Sequence, residues 1–131
     1  MSCEVERFKG WEDRVVGLVP HADYVKLSKF SGVEFLGNSR FMAAFLPEQG
    51  VEEPGFWEAH WWAKPPAILA YRSAKKCLAE FFKTHYNTRI IGLTDAKNLE
   101  ALKMAKLLGF RPLRFVRLES GLFLLSIKEE I

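Results

Sequence analysis

A change of hydrophobic period at the double proline Pro65-Pro66 constrains this fold more than any other feature of the sequence. The segment before it, Phe56 to Ala63, is rich in aromatic side chains and favours a β-strand. After it, apolar residues recur at helical spacing over about five turns, with charged residues between them. Because proline is tolerated in the first turn of a helix, the two prolines are compatible with a helix start here. The chain therefore passes from a strand into an amphipathic helix.

The rest of the chain alternates between the same two kinds of pattern. The sequence predicts a helix at 11–18, strands at 33–36, 41–46 and 56–63, a helix after Pro66, a strand at 89–93, a helix ended by Gly109, and strands at 113–118 and 122–127. Turn residues at 37–39 join the first two strands into a hairpin, whereas the segment 21–30 fits neither pattern clearly. This order predicts an α/β fold with a mixed sheet of about six to seven strands flanked by helices.

Composition indicates a globular protein of one domain. The 131 residues, of which 49% are hydrophobic, can bury a core, so we expect a single domain over residues 1–131. The net charge of +3 is too small, and the charges are too evenly mixed, to indicate nucleic-acid binding. The sequence opens without an apolar signal segment and has no run long enough to span a membrane. A cytoplasmic location without a membrane partner is therefore expected.

The spacing of cysteine and histidine predicts neither a metal site nor a disulfide. Cys3 and Cys77 form no CxxC pair and no zinc-spaced cluster with histidine, so both are expected to be reduced thiols. Cys77 also has no His or Asp at a spacing that would indicate a nucleophile. His21 and His85 are expected on the surface or in structural roles.

The segment TDAKNLEALKMAKLLGFRPL resembles the last conserved block of the GNAT acyltransferases. The resemblance rests on Asn98, on Ala101 three residues later, and on Gly109-Phe110 at the end of the same helix. The preceding RIIGLTD is similar to the family's fifth strand, and the element order from Val33 to Ile127 also looks like a GNAT domain. The resemblance implies that acetyl-CoA enters a gap between two parallel strands, the fourth and the fifth, and that an amine attacks its thioester directly.

The same resemblance implies a set of cofactor-binding residues. Segment 56–63 is then the fourth strand, whose backbone pairs with the pantetheine arm, and the helix after Pro66 receives the pyrophosphate at its first N–H groups. The residues implied in binding acetyl-CoA are Trp62, Lys64, Ala67, Ile68 and Asn98. Asn98 has a second interpretation as the cap of the following helix, and Trp62 has one as a core side chain.

Glu58 and His60 are the candidate catalytic residues. Alternate side chains of a strand share a face, which places Glu58, His60 and Trp62 together. Acetyl transfer needs a neutral amine, and a partly buried glutamate with a raised pKa, or a histidine, is suited to accept the proton. GNAT enzymes often carry such a residue on this strand. The alternative is structural: His60 is then a hydrogen-bonded core histidine, and Glu58 lies at the rim of the sheet.

Two positions depart from the GNAT pattern. The family's phosphate loop is rich in glycine, but residues 63–68 contain none, and Pro65 and Pro66 have no N–H to donate. Where the family often has a tyrosine acid, this chain has Ala105, so either the acid comes from elsewhere, with Tyr71 and solvent as candidates, or the reaction is slow.

The sequence therefore supports two functions. The first is an acetyl-CoA-dependent N-acyltransferase acting on a small-molecule or protein amine by direct transfer. The second is a catalytically degenerate GNAT-fold protein with a binding or interaction role. The compact, divergent sequence looks similar to GNAT-like proteins encoded by phages, and a monomer or homodimer is expected.

Overall fold

A computed structural model describes residues 5–8, 18–47 and 56–129 of the chain. Within these ranges seven strands form one sheet: β1 Glu6–Phe8, β2 Glu34–Gly37, β3 Phe41–Pro47, β4 Phe56–Ala63, β5 Arg89–Asp95, β6 Arg111–Leu118 and β7 Gly121–Glu129. Their order across the sheet is β1-β2-β3-β4-β5-β7-β6. The helices of the described ranges are α1 His21–Ser28, α2 Tyr71–Thr84 and α3 Leu99–Leu107, and a 3-10 turn, Ala67–Ala70, leads into α2. The predicted α/β fold with a mixed, helix-flanked sheet is confirmed.

The predicted strands agree with the structure to within two residues at each end. The ambiguous segment 21–30 forms α1, and β1 has no signal in the sequence because three residues are too few for readable alternation. The helix predicted at 11–18 lies outside the described residues apart from Leu18. None of the helices that the structure describes is long and apolar enough to cross a membrane.

Each face of the sheet packs against a helix and builds its own core. On one face, which we call the α2 face, Phe45 stacks on Phe81 of α2 with ring centroids 4.2 Å apart, and Trp57 of β4 meets Phe81 edge-on at 5.1 Å. On the opposite face, which we call the α1 face, buried Met42 packs in a cluster with Leu27 of α1. Because side chains alternate along a strand, β4 contributes to both faces.

Residues singled out in the sequence fix both ends of α3. At the start, the side-chain oxygen of Asn98 accepts the backbone N–H of Ala101 at 3.1 Å, so the predicted cap is confirmed. At the end, Gly109 takes a φ of +93°, which favours glycine, and the N–H of Phe110 turns back to donate to the carbonyl of Ala105 at 2.9 Å. These two ends hold α3 at a fixed place beside β5.

The β2–β3 hairpin closes on a glycine that has no room for a side chain. A Cβ on Gly37 would lie 2.2 Å from the carbonyl oxygen of Phe41. Asn38 holds the turn, because its side-chain oxygen accepts the N–H groups of Arg40 and Phe41. Its amide nitrogen donates to the hydroxyl of Ser73 on α2 at 2.9 Å. The turn predicted at 37–39 is therefore present, and it also ties α2 to the sheet.

Gly37→Ala is expected to destabilise the protein by about 1–3 kcal/mol or more, because the added methyl must displace backbone atoms. Gly92→Ala is the matched control, since a Cβ there would meet nothing nearer than the carbonyl oxygen of Ala59 at 4.0 Å. Urea unfolding of both variants and the wild type measures the difference. Equal unfolding midpoints for the two variants would contradict the predicted collision.

Candidate functional site

Strand β4 pairs along its whole length with β3 on one side but only over three residues with β5 on the other. Its antiparallel ladder with β3 runs along the whole strand, from Trp57 opposite Pro47 to Ala63 opposite Phe41. Its parallel ladder with β5 covers only Phe56–Glu58, which face Arg89–Ile91. From Gly92 onward β5 pairs with β7 alone. The two parallel strands therefore part after Glu58. Among the residues that the structure describes, the backbone of 59–63 has no strand partner on that side.

A cleft of about 600 Å³ lies where the two strands part. Its walls come from β4, from the end of β5, from α1 on one face and from the 3-10 turn and α3 on the other. The lining residues include Asp23, Lys26, Phe30, Leu46, Glu58–Ala63, Ala67, Gly92–Asp95, Asn98, Glu100, Ala101, Met104, Ala105, Phe110 and Ser126. This volume falls in the range of small-molecule sites, which is roughly 300–1,000 Å³.

Aromatic packing holds the free end of β4 in place. The Trp61 ring lies 5.8 Å from the Phe110 ring, edge to face, and 5.9 Å from the Phe41 ring. Trp61 thus packs against the core of the α2 face and also lines the cleft wall. These contacts replace the missing ladder to β5 as the support of this part of the strand.

Glu58 and His60 form a pair at the point where the strands part. Both lie on the α1 face of β4, and His60 Nε2 is 3.1 Å from Glu58 Oε1. The hydrogen bond from His60 lowers the pKa of Glu58; burial acts in the opposite direction, and the charge of His60 adds to the lowering. The raised glutamate pKa considered from the sequence is therefore wrong, because the contact with His60 outweighs burial.

The contact also fixes which ring nitrogen of His60 can accept a proton. An ionised carboxylate only accepts hydrogen bonds, so the Nε2 that faces Glu58 carries a hydrogen. In a neutral imidazole the other nitrogen, Nδ1, is then the acceptor. The pair can thus work as an oriented base, in which His60 receives the proton and Glu58 holds the ring and stabilises its charged form.

Three of the five predicted cofactor-binding residues line the cleft, and two do not. Trp62, Ala67 and Asn98 lie in its wall, although the Asn98 side-chain oxygen is occupied by its capping bond. Lys64 is exposed just past the end of β4, where its N–H donates to the carbonyl of Arg40 at 2.9 Å. Ile68 is 53% exposed and lies outside the lining.

The segment that leads into α2 offers few donors to an anion. The N-terminal residues before the 3-10 turn and before α2 make no capping bond with their side chains. The N–H of Leu69 donates to the carbonyl of Pro66 at 3.1 Å, and Pro65 and Pro66 have no N–H. The positive end of the α2 dipole remains. Ala67, in the 3-10 turn that leads into α2, is the residue of this segment that lines the cleft.

The two sequence positions considered for a general acid are now located. Ala105 faces the cleft, so the position of the family's tyrosine is in the expected place but has no hydroxyl. Tyr71 is outside the cleft lining, and its hydroxyl donates to the carbonyl of Leu107 at 3.4 Å. The packing therefore favours solvent or His60 over Tyr71 as a source of the proton.

The remaining candidate side chains have structural surroundings. His85 Nε2 lies 2.7 Å from Glu34 Oε2, and its ring stacks on Phe81. Cys77 is fully buried, and burial raises the pKa of its thiol to about 12, with a smaller contribution from Glu80, which fits the prediction that it is no nucleophile. No group of three or more metal-ligating side chains comes together in the ranges that the structure describes.

Sequence reasoning missed the part of the cleft wall that α1 provides. Asp23 and Lys26 line it from α1, and Phe30 lines it from just past the end of that helix, at spacings of three and four residues along the chain. That spacing was readable in the segment 21–30, but few apolar residues accompany it, and only Leu27 of the helix is buried. Asp95, at the end of β5, was not predicted either, because its place in the cleft wall depends on the tertiary fold.

No family model matches this sequence, and no curated protein is significantly similar to it. Solved structures do match. A Bordetella pertussis protein described as a GnaT-family acetyltransferase has a TM-score of 0.59 at 24% identity, covering 82% of this chain and 71% of its own. A Bacillus subtilis acetyltransferase in complex with CoA has a TM-score of 0.72 at 12% identity, and the match covers 97% of this chain and 98% of that protein. Aminoglycoside acetyltransferase AAC(6′)-Ib in complex with coenzyme A has a TM-score of 0.66 at 16% identity, and the match covers 90% of this chain and 83% of that protein. The chain has the GNAT fold.

The family resemblance read from Asn98, Ala101 and Gly109-Phe110 is thus confirmed at the level of the fold. The fourth and fifth strands of the GNAT pattern are β4 and β5, and they are parallel as expected. The cleft lies between them, at the place where the resemblance implied a ligand gap.

His60→Ala is expected to raise the pKa of Glu58. The hydrogen bond and charge of His60 lower that pKa and burial opposes them, so removing the imidazole leaves burial alone. The Glu58 pKa is then expected to move above its ordinary value of 4.5. A carboxyl-carbon NMR titration measures it, with His21→Ala as a control that leaves the pair intact.

The depressed pKa also gives a pH dependence of stability. A carboxyl whose pKa is lowered by folding stabilises the folded state above its ordinary pKa of 4.5, and this contribution is lost as the pH falls through the lowered value. The difference in unfolding free energy between wild type and Glu58→Gln is therefore expected to shrink as the pH falls through this window. A difference that stays constant with pH would show that the pair contributes nothing.

Proposed function

We propose that this chain is an acetyl-CoA-dependent N-acyltransferase that transfers the acyl group directly to an amine. The observation that carries the proposal is the parting of β4 from β5 beside the Glu58–His60 pair. Two structures of the same fold, the Bacillus subtilis acetyltransferase and AAC(6′)-Ib, are complexes with CoA, which supports a thioester cosubstrate here. The small-molecule or protein nature of the acceptor, the cytoplasmic location, the monomer or homodimer, and the single domain over 1–131 stay predictions.

The cleft fits the pantetheine part of acetyl-CoA better than its phosphates. Along 59–63 the backbone N–H and C=O groups of β4 that face β5 lack a strand partner, and they can pair with the amides of an extended arm. When bound, acetyl-CoA supplies the activated acyl carbon. At the outer end, Ala67 brings the helix dipole to the cleft and Lys64 can add one positive charge, but no glycine allows a closer approach.

His60 is the proposed base and Glu58 its positioning residue. An ammonium has no lone pair, so the acceptor must lose a proton, and His60 Nδ1 is free of the Glu58 contact and can accept it. Glu58 keeps the imidazole in the required tautomer and stabilises its positive charge. The proton held on His60 is then available to the departing sulfur, which matters because Ala105 cannot donate one.

Acetyl-CoA is expected to raise the melting temperature of the protein. A ligand that binds only the folded state, present at a hundred times its dissociation constant, adds about 2.7 kcal/mol of stability. Ala67→Asp is expected to reduce the shift, because it places a carboxylate against the phosphates. Ala79→Asp, at an exposed position of α2, serves as the matched control. No shift at millimolar acetyl-CoA would refute the proposed cosubstrate.

His60→Ala is expected to lower the rate of thiol release by about a hundredfold or more, the usual scale for loss of a general base. Glu58→Gln is expected to cost less, about tenfold, since it acts through His60. Exposed His21→Ala is the control, and rates unchanged in both site variants would exclude the pair as the base.

A second candidate function, a GNAT-fold binding protein without catalysis, is favoured by two departures from the family pattern. Ala105 offers no acid, and the proline pair before α2 removes donors from the phosphate end. The two functions separate in the same experiments. A melting shift with acetyl-CoA, without thiol release for any of a panel of amines, would favour the binding protein.

A further inference from the structure

We infer that the α1 side of the cleft selects an amine that carries a second positive charge, such as an aliphatic diamine or polyamine. The inference rests on the proposed function for the role of that amine as acyl acceptor. The preference for a second positive charge rests on the side chains of the cleft wall alone. The acceptor role and the charge preference can therefore be tested separately.

The acceptor half of the cleft is the half on the α1 face, where Glu58 and His60 point. Its opposite wall is α1 with the residues just after it, which line the cleft with Asp23, Lys26 and Phe30. The end of β5 closes the third side with Asp95. Asp95 shares the face of Glu58, because Ile91 is the partner of Glu58 and Asp95 is four residues further along the same strand.

Three carboxylates from three separate elements thus border this half: Asp23 on α1, Glu58 on β4 and Asp95 on β5. Counting Glu100, the described lining of the whole cleft has four carboxylates, one lysine and no arginine. The chain as a whole carries a net charge of +3. The cleft therefore has the sign of charge opposite to that of the molecule, and its low-dielectric walls concentrate that field.

The carboxylates are not all consumed by internal contacts. Glu58 is engaged with His60, and one oxygen of Asp95 accepts the N–H of Lys97 at 2.9 Å, which orients the carboxylate without neutralising it. The charges of Asp23 and Asp95 thus remain to act on a ligand. One cation of a diamine can stay with them while the other nitrogen reaches His60.

Apolar surface lies between the charged groups. Phe30, just after α1, is 45% exposed and Leu93 of β5 is 41% exposed, and both line the cleft. Half-buried Trp62 adds an aromatic face on the His60 side. A methylene chain can bury itself on these side chains, and aromatic faces attract cations. An acceptor with a carboxylate in place of the second cation would face repulsion.

Three acceptors of equal chain length test the inference: 1,5-diaminopentane, pentylamine and 5-aminopentanoate. With acetyl-CoA present, thiol release is expected to give the highest kcat/KM for the diamine and the lowest for the aminopentanoate. Asp23→Asn and Asp95→Asn are each expected to lower the diamine's kcat/KM by about threefold, the scale of one exposed ion pair, and to lower pentylamine's by less. Glu119→Gln, in the exposed β6–β7 turn, is the matched control.

A melting-temperature arm without acetyl-CoA separates the two proposals. A shift with the diamine that exceeds the shift with pentylamine and shrinks in both Asn variants supports the charge preference, even if acetyl-CoA does not bind. If acetyl-CoA is turned over but the three amines are used equally well, or the Asn variants leave the diamine unaffected, the charge preference is overturned and the acyltransferase stands.

Discussion

The incomplete pairing of β4 with β5 is the constraint on which the rest of the site depends. A strand inside a sheet normally bonds on both sides, and an unpaired buried amide is costly. Here the ladder stops at Glu58 opposite Ile91, and the cost is tolerated because the residues of β4 stay partly exposed and 58–63 line the cleft. Glu58 is thus the last residue held by both neighbours, and His60 is the next on its face. The point where the strands part and the cleft begins is therefore also the position of the Glu58–His60 pair.

Local patterns made most of the fold predictable, and non-local contacts made the rest unpredictable. The alternation in β4, the run at Arg89–Leu93 and the ends of α3 at Asn98 and Gly109 all depend on neighbours within a few residues, so the sequence carries them. The side of the cleft formed by α1 does not, because it requires chain segments about seventy residues apart to meet. The pKa of Glu58 shows the same limit: spacing places His60 nearby, but only the contact distance decides that the hydrogen bond outweighs burial.

The two ends of the cleft differ in how completely they are built. In the proposed function, the end with Glu58 and His60 supplies an oriented base, whereas the end at Ala67 has only a helix dipole for the phosphates and lacks the glycines of the family pattern. The middle is less sensitive to sequence, because its donors and acceptors are the backbone groups of 59–63. Every residue type except proline supplies both. A divergent chain can therefore lose the glycine-rich loop and still keep the part of the cleft that holds an extended arm.

Charge within the cleft limits where each part of a ligand can lie. In the proposed function, the carboxylates that favour a cationic acceptor also repel phosphates, so the phosphates of acetyl-CoA are expected at the outer end, beside Ala67 and exposed Lys64. The uncharged middle of the arm then separates the two, and the thioester is the only part that reaches the acidic half. The overall charge of +3 gives no hint of this arrangement, because the sign that matters to a ligand is that of the side chains lining its own wall.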